Sequence, residues 1–208
     1  MSAVDRIGAQ RVVPVIRCGD GADAVATARA AAAAGMSVVE LTLTTPGVHD
    51  ALRELGGDDL TVGLGSVVRP GDVGPGVEAG ARFVVTFAAV AGFVDAAREA
   101  AVPAVQGALT PSEVLAAHQA GADVVKIFPA RLVPPAYLRD LCTVLPDARL
   151  LPTGGIEPAG VGVWLDAGAW AVGLGGALGT AATVGAEEVT RRCRAALSMA
   201  YQQRRTTL

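Results

Sequence analysis

Eight short apolar runs recur along this chain at nearly even intervals, and their spacing constrains the fold more than any other feature. They begin near Val12, Val38, Leu60, Arg82, Val102, Asp123, Ala148 and Ala171, 20 to 26 residues apart, the length of one short strand followed by one helix. The runs are almost continuously apolar, as strands buried on both faces are, and the stretches between them are amphipathic and rich in alanine. Thr110-Pro111-Ser112-Glu113 offers an N-cap, a proline at the first helical position and a glutamate to close a capping box. Pro46, Pro70 and Pro158 mark further helix starts. Ala34-Gly35, Ala79-Gly80, Ala120-Gly121 and Ala167-Gly168 supply glycine for the left-handed residue that ends a helix. A short helix over Val4 to Gln10 precedes the first strand.

Strands and helices in strict alternation predict a parallel sheet covered by helices. Eight is also the number that closes a (β/α)8 TIM barrel, and the 208 residues suit a single barrel domain, residues 1–208, with short loops. A doubly wound open sheet is the alternative. Composition removes other classes. With 51% hydrophobic and 18% charged residues the chain is expected to be compact, and 17 basic against 20 acidic residues give −3, without the basic stripe that nucleic acid requires. Val161 to Ala186 is the only stretch resembling a membrane span, but it is dense in glycine and divides into a helix and a strand. The N-terminus lacks a signal-peptide pattern. The three cysteines are far apart and free of CxxC spacing, which predicts reduced thiols and a cytoplasmic protein.

Barrels of this kind do their chemistry at the C-terminal ends of the strands, so polar residues late in an apolar run are the candidates. Lys126 stands out. It is the only lysine in the chain and lies within Val124-Val125-Lys126-Ile127-Phe128. Burial disfavours the charged form of an amine, and a neutral amine attacks carbonyl carbon where a guanidinium cannot. The structural alternative is a lysine that snorkels or pairs with a buried carboxylate. Alternation along the second run puts Val38, Glu40, Thr42 and Thr44 on one face, so Glu40 is either a general acid/base beside the amine or its buried counterion. Arg17, Ser66 and Thr86 end the first, third and fourth runs. Gly154-Gly155 and Gly175-Gly176 follow the seventh and eighth. Glycine turns there feed helix N-termini and form the usual phosphate cradle of this fold, or else they only permit tight turns. His49 and His118 are not at strand ends, which argues against a zinc or iron site.

Val13-Pro14-Val15-Ile16, Val39-Glu40-Leu41-Thr42-Leu43, Val62-Gly63-Leu64-Gly65-Ser66-Val67, Lys126-Ile127-Phe128-Pro129-Ala130 and Pro152-Thr153-Gly154-Gly155-Ile156, in that order, resemble the 2-keto-3-deoxy-6-phosphogluconate (KDPG) aldolase family. That family includes 4-hydroxy-2-oxoglutarate (KHG) and 6-phosphogalactonate aldolases. The resemblance is full-length and implies a class I aldolase on a (β/α)8 barrel, commonly homotrimeric, that needs no metal or other cofactor and acts on a small keto acid. It further implies that Lys126 forms the Schiff base, that Glu40 shuttles protons and that Gly154, Gly155, Gly175 and Gly176 hold the phosphate. Ser66 stands where the family usually has a threonine that helps bind pyruvate. Three positions depart from the phosphogluconate pattern: Thr44 replaces an arginine, Thr86-Phe87-Ala88 replaces Ser-Pro-Gly, and Ala177 replaces a serine. The phosphogalactonate branch also lacks that arginine and has one at the end of strand one, so Arg17 is the expected cation for the substrate carboxylate, with Thr44 and Thr86 at the same end of the site. Which keto acid is used, with which C4 configuration, stays open. So do a metal-dependent aldolase or isomerase, an epimerase using Lys126 noncovalently, and a sugar-acid-binding barrel without turnover.

Overall fold

The computed structural model describes residues 1–206. Its strands are β1 (Val12–Ile16), β2 (Val38–Thr42), β3 (Thr61–Gly65), β4 (Val84–Val85), β5 (Ala104–Ala108), β6 (Val124–Ile127), β7 (Leu150–Pro152) and β8 (Val172–Leu174). Each starts within two residues of the expected position. All pairings are parallel and follow chain order from β1 to β7, with β8 beside β1. A parallel bridge between Thr153 and Gly173 joins the ends of β7 and β8 and closes the sheet, which rules out the open doubly wound alternative.

The helices are α1 (Ala3–Gln10), α2 (Gly21–Ala33), α3 (Val48–Leu55), α4 (Val73–Glu78), α5 (Phe93–Glu99), α6 (Pro111–Gln119), α7 (Pro135–Val144), α8 (Val161–Asp166), α9 (Ala181–Val184) and α10 (Ala186–Thr206). Their ends obey local chemistry. Ser2 with Asp5 and Thr110 with Glu113 close reciprocal capping boxes at α1 and α6. Gly35, Gly80, Gly121 and Gly168 all lie at φ between 87° and 116°, where any other residue would be strained. The apolar segment from Val161 divides into α8 and β8 as expected, and no described helix is long and apolar enough to cross a membrane.

Alternation along the strands sorts side chains between two cores. Val12, Val39, Leu41, Leu64, Val84, Val125, Ile127 and Leu150 face outward and pack against the helices. Val13, Val38, Phe83, Val85, Val105, Val124, Leu151 and Ala171 face inward and fill the lower half of the barrel. Ile7 of α1 joins this inner cluster, so α1 plugs the N-terminal end. Buried Gln10 pins it there: its amide donates to the Val12 and Val38 carbonyls, and its oxygen accepts from the Ser37 and Val38 amides. With the floor sealed, the next inward positions up each strand face the mouth.

Candidate active site

Two residues up from Val124 on β6 the inward position is Lys126, and two up from Val38 on β2 it is Glu40. The two meet across the barrel: Lys126 Nζ lies 3.1 Å from Glu40 Oε1 and 3.2 Å from Oε2. Their side chains are only 4% and 3% exposed, so both groups have lost nearly all contact with water and depend on each other. The pair exists because β3 makes room for it. A Cβ at Gly65 would land on the Glu40 carboxylate, and one at Gly63, two residues below, would land on the Phe83 ring. Gly107 and Gly173 likewise leave space for the Phe87 peptide and the Thr153 side chain.

Above the pair opens a cavity of about 690 Å³. Arg17, Ser66, Phe87, Phe128, Gly154, Gly155, Gly175 and Gly176 line it, with the Phe128 ring packed against Gly154. Arg17 Nη2 donates to Ser66 Oγ at 3.2 Å, and among the described residues Arg17 has no carboxylate partner, so its charge is free to meet an anion. Ser66 sits at φ 59°, in the left-handed region a serine seldom occupies, at the point where β3 ends and its hydroxyl turns toward Arg17. Gly154 and Gly155 also have positive φ, and a Cβ at Gly155 would strike the Arg131 side chain, so that turn tolerates only glycine. Beside Gly176 a Cβ would meet nothing, leaving its backbone open to the cavity.

Thr44 and Thr86 are not brought to this cavity. β2 stops at Thr42, and Thr44 lies exposed in the following turn, its hydroxyl 3.1 Å from that of Thr42; alternation cannot be carried past the strand end. Thr86 follows outward-facing Val84 and is fully buried, its hydroxyl bonded to the backbone of Ala88. The inward position is its neighbour, Phe87, one residue on. Sequence reasoning also passed over Val15, Thr153, Thr180 and Thr183, all of which line the cavity. Thr153 was legible, being two residues up from inward Leu151. The other two threonines carry only a local cue, the capping box they form at the start of α9.

Thr180 and Thr183 bring that short helix to the cavity, and it is tied to α2. The Ala181 amide donates to Thr27 Oγ1 and the Ala182 amide to Asp23 Oδ1, both at 2.8 Å. Burial pushes the Asp23 carboxyl up, but hydrogen bonds from Thr180, Ala182, Cys18 and Thr27 outweigh it and hold the group below its ordinary value. Beneath them the Cys18 thiol is pushed up to about 12, first by burial and then by Asp23. It is a packed thiol and not a nucleophile. Among the described residues no three His, Cys, Asp or Glu side chains are grouped to hold a metal ion.

A closed barrel whose only buried ion pair among the described residues stands under a cavity at the strand ends places this chain among the (β/α)8-barrel enzymes. The family model for KDPG and KHG aldolase matches residues 4–194, and the chain belongs to that family. It is thus an aldolase, a carbon–carbon lyase. The 2-dehydro-3-deoxy-phosphogluconate aldolase of Pseudomonas aeruginosa is 35% identical over 150 residues, 71% of this chain and 68% of that protein. The 2-dehydro-3-deoxy-6-phosphogalactonate aldolase of Escherichia coli is 31% identical over 157 residues, 74% of this chain and 77% of that protein. Among solved structures, KDPG aldolase from Legionella pneumophila, with pyruvate captured as a covalent carbinolamine, matches with a TM-score of 0.82 and 27% identity over 94% of this chain and 98% of that one.

Proposed function

We propose that the protein is a class I aldolase that cleaves 2-keto-3-deoxy-6-phosphogluconate, or a close relative, to pyruvate and glyceraldehyde 3-phosphate through a Schiff base on Lys126. The observation that carries this reading is the buried contact between Lys126 Nζ and both oxygens of Glu40. Glu40 can take a proton from the ammonium, which frees the amine to attack the C2 ketone, and loss of water then gives an iminium. The iminium draws electrons from the C3–C4 bond as Glu40, directly or through a water, removes the C4 hydroxyl proton. The aldehyde departs, leaving a pyruvate enamine that is protonated at C3 and hydrolysed by water to pyruvate and the free amine. Arg17, with Ser66, holds the substrate carboxylate, and the amides of the Gly154-Gly155 and Gly175-Gly176 turns hold the phosphate. The chain works as a single barrel domain in the cytoplasm, as a homotrimer, without metal or cofactor.

The 2-keto-3-deoxy-6-phosphogalactonate and 4-hydroxy-2-oxoglutarate reactions are the alternatives. The first is favoured by Arg17 reaching the cavity while Thr44 does not. The test is incubation with pyruvate and borohydride followed by mass measurement of the Lys126 peptide. A reduced pyruvate adduct on Lys126 is expected; its absence, under conditions that label another class I aldolase, overturns the reading. Rates on the three keto acids then assign the substrate.

A further inference from the structure

Two aromatic rings, Phe87 and Phe128, line the cavity that holds Lys126, and the neighbouring glycines and hydroxyls do not explain why. Phe128 follows Lys126 by two residues, continues the ladder through its amide to the Ala108 carbonyl at 3.0 Å, and stands one step nearer the mouth on the same face. Phe87 meets it from the end of β4, ring centroids 6.0 Å apart and planes at 63°, an edge-to-face contact. The pair is built from two sides. Phe87 is aimed inward by a backbone that passes so close over Gly107 that any side chain there would strike the Phe87 carbonyl carbon and the Ala88 amide. The turn is fixed by the hydrogen bonds between Thr86 Oγ1 and Ala88. Yet Phe87 remains 42% exposed while it lines the cavity. An aromatic ring positioned this firmly and left partly exposed on the same cavity as Lys126 has the character of a binding wall.

We propose that this wall gives the enzyme a second substrate class: 4-hydroxy-2-oxo acids whose C4 substituent is apolar and unphosphorylated, above all aryl, equivalently the aldol addition of pyruvate to aryl aldehydes. The inference rests on the Schiff-base reading above. In the synthetic direction the Lys126 amine adds to pyruvate C2 and water leaves, and Glu40 removes a C3 proton to give the enamine. C3 then bonds to the aldehyde carbon, whose oxygen takes up a proton, and water hydrolyses the iminium to release 4-hydroxy-2-oxo-4-arylbutanoate. The aryl ring lies against Phe87 and Phe128, while the carboxylate keeps Arg17.

The test compares benzaldehyde with acetaldehyde as acceptors for pyruvate in the wild type, Phe87→Leu and Phe87→Ala, with borohydride trapping of pyruvate run on each sample. Neither acceptor carries phosphate, and their different intrinsic reactivities cancel when the ratio is compared between wild type and variant, so its change reports the apolar wall. The expected kcat/KM for benzaldehyde exceeds that for acetaldehyde by roughly tenfold or more, and the ratio falls about tenfold in Phe87→Ala and less in Phe87→Leu. No addition to benzaldehyde in the wild type, or a ratio unmoved by Phe87→Ala, with the pyruvate adduct forming normally, overturns the inference and leaves the Schiff base standing. No adduct in the wild type overturns both.

Discussion

Gly65→Ala tests whether the Glu40–Lys126 pair is the working centre of the barrel, because it adds one methyl group and touches neither residue's chemistry. The new Cβ would fall 2.5 Å from the Glu40 carboxyl carbon, 2.6 Å from its Cγ and closer still to Oε1, where ordinary contact begins at 3.4 Å, so the carboxyl must retreat by more than about 1 Å. The cavity borders it, so the group has room to move, and a move of that size disturbs its contacts of 3.1 and 3.2 Å with Lys126 Nζ. A displacement near 1 Å in a positioned catalytic group costs on the order of 10²-fold in rate. Loosening the buried pair, with overpacking at about 1–3 kcal/mol, also lowers stability, by about 3 kcal/mol. Gly63→Ala is the matched control. Its Cβ strikes the packed ring of Phe83 one layer below, so it should cost comparable stability while leaving Glu40 in place. Pyruvate release coupled to lactate dehydrogenase measures activity, and urea unfolding followed by circular dichroism measures stability. The reasoning fails if folded Gly65→Ala keeps kcat/KM within threefold of the wild type, or if Gly63→Ala loses as much activity as Gly65→Ala.

Two other outcomes follow from the same geometry. Glu40→Gln should slow cleavage by roughly 10²–10⁴-fold yet still yield some pyruvate adduct, whereas Lys126→Arg should give neither, since a guanidinium cannot form the iminium; both are read by the coupled assay and by peptide mass. Asp23 has a folded-state value below its ordinary 3.8, so its contribution to stability is complete above that pH and is lost as pH falls below it. Asp23→Asn should therefore be less stable than the wild type in urea at pH 7, with the gap narrowing at pH 3; a gap that widens in acid would refute the assignment.

Much of this was legible because buried charge is conspicuous. A barrel strand covered on both faces admits almost no polar side chain, so Glu40 and Lys126 inside their apolar runs were visible as exceptions, and the runs themselves located every strand to within two residues. Legibility failed where a strand ends. Period-two alternation holds only while the backbone stays extended, and Thr44 lies two residues beyond the end of β2. The choice of Thr86 over Phe87 was an error of one position, enough to exchange inside for outside, because β4 has only two paired residues from which to fix the phase. Thr180 and Thr183 were hidden for a different reason: α9 is held at the cavity by Asp23 and Thr27, more than 150 residues earlier in the chain, and no local pattern announces such a tie.

The inner glycines explain why a cavity exists at all. Below the ion pair the inward positions carry valine, leucine and phenylalanine, and the barrel is solid. Around and above it, inward positions of β3, β5 and β8 become Gly65, Gly107 and Gly173, and each omits a side chain that would overlap a larger group: Glu40, the Phe87 peptide and Thr153. The bulky members Glu40, Phe87, Lys126 and Phe128 all come from the even strands β2, β4 and β6. The barrel is thus packed solid in its lower half and hollowed in its upper half by glycines of β3, β5 and β8. It follows that the site's shape is set as much by the missing side chains as by the reactive ones. A substitution that fills Gly65, Gly107 or Gly173 should disturb catalysis before it disturbs the outer helical shell. Substrate choice then falls to residues just past the strand ends, such as Arg17, Phe87 and Thr153, whose side chains border the cavity with freedom to change.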